Sequence, residues 1–152
     1  MTGNPTTLEQ LQLRLFLFSL AQVRFGIDME QIADMVACTN YDDGNLHWSH
    51  DLLGFKEGAV QYRTPTVLAI RNDSDRPWLV VIDQPEEMLE CPIRAIAPLP
   101  PLVEPAALRR GVWGVTLHND RMVLLVDFQR LARGRGTVAD IPLRELLSST
   151  TA

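Results

Sequence analysis

The sequence predicts a mainly β protein, an all-β barrel or sandwich of short strands with a few helical turns. Val112 to Leu131, VWGVTLHNDRMVLLVDFQRL, reads as two Val- and Leu-rich runs joined at Asn119-Asp120, residues that tolerate the positive φ angles of a tight hairpin turn. Leu11 to Leu20, LQLRLFLFSL, alternates as far as Arg14 and is apolar beyond it, with two Phe residues that favour a strand over a helix. Further short apolar runs follow one another between turn signals, the spacing of an all-β domain.

In chain order, the first strand runs over Leu11–Leu20 with its second half buried on both faces, Ala21-Gln22 turns, and Val23–Ile27 returns. Asp28 caps a single helical turn over Met29-Glu30-Gln31, and Ile32–Val36 continues as a strand. Thr39–Asn45, TNYDDGN, is polar and turn-rich and forms a loop. Leu52-Leu53-Gly54-Phe55 makes a helical turn ending at glycine. Thr66–Ile70 and Trp78–Ile82 form a second hairpin around Asn72–Asp75. Five prolines between Pro92 and Pro105 remove ladder donors, so Met88–Pro105 is read as a strand end followed by an extended crossing segment. After the hairpin at 112–131, Pro142 starts a short terminal helix with Leu143, Leu146 and Leu147 on one face. Met122–Val126 is too continuously apolar for a strand with one wet face, and Val115, Leu117, Val123, Leu124 and Val126 are the expected core of the hairpin.

Composition narrows the function. With 152 residues, 46% of them hydrophobic, the chain can bury one core or two small fused ones, and a single domain over residues 8–148 with flexible termini at 1–7 and 149–152 is expected. A net charge of −5 without a basic cluster argues against nucleic acid or an anionic membrane as partner. The apolar runs are strand-sized, so none is expected to insert in a membrane, and the start MTGNPTTLEQ lacks the pattern of a signal peptide. Cys38 and Cys91 stand far apart and fit reduced, packed thiols of a cytoplasmic protein.

Nearly the whole chain resembles the CheW-like domain, the adaptor module of bacterial chemosensory arrays. The resemblance is carried by a strand ending at Asp83, the acidic segment Glu86-Glu87-Met88-Leu89-Glu90-Cys91-Pro92, the passage Ile96-Ala97-Pro98-Leu99-Pro100-Pro101, and the close Leu125-Val126-Asp127-Phe128-Gln129-Arg130-Leu131. Phe16–Leu20, Phe25–Asp28 and Ile32–Val36 are similar to the opening of that family. The resemblance implies two fused five-stranded SH3-like β-barrels with a few short helices. It also implies a non-catalytic adaptor, without cofactor, that couples a chemoreceptor tip to the regulatory domain of a CheA-type histidine kinase. Ile32, Asp34, Trp48, Arg76 and Glu90 are the partner-binding candidates on its surface. The chain departs from the family between Val36 and Leu52, where the usual Asn-Leu-Arg-Gly and Pro-Val-x-Asp-Leu segments are replaced by ACTNYDDGNLHWSHD. The lost arginine belongs to the partner surface, so self-association, as a homo-oligomer, or a different regulatory partner is the alternative.

The residues that could carry chemistry have plainer readings. His47, His50 and Asp51 could place both rings on neighbouring helix faces for zinc, with Cys38 or Asp43 adding ligands, which is the metal-binding alternative; packing beside Trp48 is the simpler reading. Asp42-Asp43-Gly44-Asn45 lacks the closing Glu of a calcium loop. His118–Arg121 is a solvated hairpin tip, and Arg133-Gly134-Arg135-Gly136 lacks the Lys-Ser/Thr of a phosphate loop. Glu86, Glu87 and Glu90 read as a solvated strand edge and Cys91 as a core residue, so no catalytic constellation is assigned.

Overall fold

A computed structural model of the chain describes residues 11–38, 45–74 and 76–134. The expected domain boundaries and the terminal helix from Pro142 lie outside the described residues. Nine strands are described: β1 Gln12–Leu20, β2 Val23–Asp28, β3 Ile32–Ala37, β4 Leu46–Trp48, β5 Thr66–Ile70, β6 Trp78–Ile82, β7 Pro85–Pro92, β8 Val112–His118 and β9 Arg121–Val126. They are joined by the short helices α1 Ser49–Leu52, α2 Glu104–Arg109 and α3 Phe128–Gly134. Five strands form one sheet in the order β7-β1-β2-β9-β8, and four form the other in the order β3-β5-β6-β4. The fold is therefore mainly β and two-sheeted, with four strands in the second sheet among the described residues where the resemblance implied five.

Why β1 loses its alternation after Arg14 is visible in the packing. Leu15 and Leu17 join Cys91, Val123 and Leu125 inside the curled five-stranded sheet. Phe16, Phe18 and Leu20 enter the main core between the sheets with Phe25, Ile27, Leu68, Ile70, Val80, Ile82, Val126 and Phe128. A strand with a core on each face has no wet side to alternate with. At about 1.5–3 kcal/mol for each large apolar side chain removed from water, these two layers dominate the fold. A third, smaller layer of Val67, Leu79 and Val81 lies on the far side of the four-stranded sheet.

Local chemistry sets the turns. Ala21 and Gln22 at φ 48° and 70°, and Asn119 and Asp120 at φ 53° and 60°, close the two-residue hairpins β1–β2 and β8–β9. The parallel pairing of β2 with β9 sets Gly26 opposite Leu125, and a Cβ at Gly26 would lie 3.2 Å from the Val123 side chain, so glycine allows the close approach. Asp28 caps its helical turn by accepting from the Glu30 N–H. The same turn carries Gln31, buried, whose Oε1 accepts from the N–H groups of Phe128 at 2.9 Å and Gln129 at 3.2 Å. Gln31 O accepts from Arg71 N–H and Arg71 O from Gln129 Nε2, both at 2.9 Å, so one knot joins the β2–β3 junction, the end of β5 and the start of α3.

The edge strands of the five-stranded sheet face one another. Ala97 and Val115 exchange two backbone hydrogen bonds at 2.8 and 3.0 Å. Thr116 Oγ1 donates to Ala95 O at 2.9 Å, and His118 Nε2 lies 3.1 Å from Glu87 Oε1. A seam of one bridge and a few side chains thus curls the sheet without a continuous ladder.

Two expectations for this half are corrected. Leu117 is 71% exposed and not core, because its face of β8 runs past the end of the main core; Met122, opposite it, is 59% exposed. The segment read as extended up to Pro105 contains α2, with Pro105 in its first turn, where the missing N–H is not needed.

Candidate functional site

The five partner-binding candidates do not share one surface. Ile32 is 8% exposed, pairs with Ile70 and belongs to the main core, which corrects its expected place on the surface: β3 begins inside the molecule, where the helical turn delivers it. Asp34 is exposed further along β3, an edge of the four-stranded sheet, and its carboxylate accepts from the Met35 N–H. Trp48 ends β4, the opposite edge, and Arg76 lies exposed in the β5–β6 connection with its N–H donating to Ser74 Oγ. Glu90 is exposed on β7, in the other sheet, across from Arg14.

The histidine cluster is split between elements. His47 lies in β4 and His50 in α1, because the helix begins at Ser49, so the two rings do not occupy neighbouring faces of one helix. The His47 ring stacks on Trp78 at 4.6 Å, and His50 Nδ1 lies 2.9 Å from Tyr62 Oη. Tyr62 Oη also accepts from the His50 N–H and meets Ser49 Oγ at 3.3 Å; burial raises its pKa, an effect larger than the opposing hydrogen bonds from Ser49 and His50. Trp48 packs edge-on against the same phenol at 4.9 Å. The arrangement docks the loop before β5 onto α1 and props Trp48, 38% exposed, at the sheet edge. Among the described residues no group of three or more His, Cys, Asp or Glu could hold a metal ion. Asp43, the further ligand considered, lies outside them.

Asp83, where the β6 motif ends, is buried at 1% exposure. Its Oδ1 accepts from the N–H groups of Arg63 at 3.0 Å and Thr64 at 2.7 Å, and its O accepts from Ser19 N–H, so it ties the loop before β5 to β1. The acidic run on β7 is not wholly solvated. Glu86 takes Ser19 Oγ and Arg24 Nη2 at 2.6 Å each, and Arg24 is only 6% exposed. Burial pushes the Glu86 carboxyl up, but the hydrogen bonds from Ser19 and Arg24 and the charges of Arg24 and Arg121 outweigh it, leaving the pKa below the ordinary value.

Sequence reasoning missed most of the exposed apolar side chains: Met35, Met88, Leu102, Val103, Leu117 and Met122. Leu102, 90% exposed, sits in the turn before α2, and the prolines at 100 and 101 that hold it out were its only signal. Among the described residues no helix is long and apolar enough to cross a membrane.

A curled five-stranded sheet and an open four-stranded one share a core and leave apolar side chains exposed, the architecture of a small two-sheeted β module. The profile of the CheW-like domain matches residues 49–135, more than half of the chain, and the chain belongs to that family. Members of the family are non-catalytic scaffolds, so this chain is not an enzyme. The structure is similar to the crystal structure of the scaffolding protein TtCheW from Thermoanaerobacter tengcongensis, with a TM-score of 0.66, 16% identity, 85% of this chain covered and 93% of that one. At that identity the likeness speaks for the fold. No curated protein matches the sequence.

Proposed function

We propose that the chain is an adaptor of a chemosensory system, working in the cytoplasm and linking a chemoreceptor tip to the regulatory domain of a CheA-type histidine kinase. The observation that carries the reading is the family match across α1 to α3, which covers parts of both sheets. It is supported by apolar side chains left exposed on both sheets, Met35 and Trp48 on the smaller and Met88 on the larger, because an adaptor needs two surfaces that can be occupied together. Trp48 at the β4 edge serves one partner and Glu90 with Met88 on β7 the other, while Asp34 at the β3 edge and Arg76 in the β5–β6 connection supply charge at the rim of the smaller sheet; the apolar groups supply affinity and the charges set orientation. Ile32 acts from the core by fixing the start of β3.

The test is a pull-down of the kinase regulatory domain and of receptor tips from the same genome. Capture of both, with Trp48→Ala weakening one interaction and Met88→Asp the other, supports the reading, and capture of neither overturns it. Replacement of the arginine-bearing family segment by residues 37–51 favours one second reading, self-association, which light scattering over a concentration series distinguishes.

A further inference from the structure

The edge of β8 carries an unfinished ladder. Ala97 and Val115 form a hydrogen-bonded pair, so the N–H and C=O of Val115 point out of the sheet edge, away from β9. Strand alternation turns the N–H and C=O of Leu117 to the same edge. In an antiparallel ladder the residue opposite Leu117 would be Ala95. That residue is instead in a helical turn, Ile93–Ala95, with its carbonyl taken by Thr116 Oγ1. The ladder therefore stops after one pair, and among the described residues nothing continues it past Val115.

Where it stops there is an open slot of about 480 Å³ lined by Ala95, Ala97, Val115, Thr116, Leu117 and Met122. Five of the six are apolar, and the cross-strand pair Leu117 and Met122 is 71% and 59% exposed. Arg94 stands exposed beside Ala95 in a chain of net charge −5, whereas Arg121, next to Met122 in β9, turns to the opposite face, where its charge acts on Glu86; Asp120 and Glu87, against His118, are the acidic groups at the hairpin end.

The geometry points to a strand-addition site: an extended peptide segment pairs with the β8 edge at Leu117, places an apolar side chain in the slot between Leu117–Met122 and Ala95–Ala97, and carries a carboxylate toward Arg94. An extended partner is specified because the unpaired groups are those of a strand edge with one antiparallel pair already in register. A helix offers no backbone donors or acceptors to such an edge. None of the residues lining the slot is among those assigned to receptor or kinase.

The test uses the full chain and a fluorescent nine-residue peptide of alternating Val and Thr with Asp at both ends, followed by anisotropy and by amide chemical shifts. Saturable binding is expected, with shifts confined to residues 94–97 and 115–122. Leu117→Asp is expected to weaken it at least about tenfold while leaving the thermal midpoint unchanged, since that side chain is already exposed. N-methylation of alternate peptide amides, which removes the donors without removing the side chains, is expected to abolish it. Binding that survives N-methylation, or shifts that fall elsewhere, overturns the proposal. Protection of the Leu117 amide in the free chain also overturns it: at all dilutions this means that the chain covers its own edge, and only at high concentration that a second copy does.

Discussion

The five-stranded sheet turns its edge strands β7 and β8 toward each other, whereas the four-stranded sheet keeps β3 and β4 at opposite ends, without pairing between them among the described residues. Inside the first, Leu15, Leu17, Val123 and Leu125 are fully buried. Among the described residues, the corresponding layer of the second has only Val67, Leu79 and Val81, with Val36, Cys38 and Leu46 half-buried around them. The seam of the first sheet accounts for the difference, because a curled sheet shields its own interior and an open one relies on what packs over it. Curling is incomplete, however, and the place where the seam stops is where Leu117 and Met122 emerge.

The largest effect should come from the layer both sheets share. Val126→Asp places an unpaired charge in the main core at a position of 0% exposure, a cost of more than about 4 kcal/mol, and circular dichroism should show an unfolded chain. Matched truncations next separate the sheets. Leu17→Ala in the curled interior should lower stability by about 3–5 kcal/mol and Leu79→Ala in the open layer by about 2, measured by urea unfolding; equal losses would remove the distinction drawn between them.

The Ser19–Arg24–Glu86 contact belongs only to the five-stranded sheet. Glu86→Gln should cost about 1–2 kcal/mol, with the pair's partial exposure keeping the loss at the low end. The Glu86 pKa is lowered on folding, so its contribution is complete above the ordinary value of 4.5 and is lost as the pH falls through the folded value. The urea midpoint of the parent should drop on acidification below about 4.5, and that of Glu86→Gln should drop less. Smallest is Asp120→Gly. At φ 60° glycine is unstrained, and a gain of about 0.5 kcal/mol is expected in thermal unfolding.

Most strand positions and turns were legible in the sequence because their causes are local, while the three-residue β4, Leu46–Trp48, was not assigned. Ala21-Gln22, the Asp28 cap and Asn119-Asp120 need no tertiary information. What failed depends on distance. Ile32 and Leu117 are both aliphatic residues in strands, and only the reach of the main core decides that the first is covered and the second is not. The α2 helix was hidden by prolines that signal extension when counted together, although Pro105 individually fits a helix start. The histidine cluster was compact in sequence, but the break between β4 and α1 at Ser49 gives its rings to Trp78 and Tyr62. The exposed apolar residues had no signal of their own, since an aliphatic residue on an edge strand has the same letter as one in the core.

The parallel pairing of β2 with β9 has a consequence for the order in which the molecule assembles. Residues 32–82 contain every strand of the four-stranded sheet, so those pairings close over modest separations. The five-stranded sheet instead joins residues 23–28 to 121–126 and cannot be completed until the last strand is available. Folding during synthesis would let Phe16, Phe18 and Leu20 pack on the four-stranded sheet while Leu15 and Leu17, on the other face of β1, wait for Val123 and Leu125 until the β8–β9 hairpin leaves the ribosome. That interval, set by topology and not by any single contact, is when the chain is most exposed to misassembly, and the rate of closing β2 onto β9 limits how long it lasts.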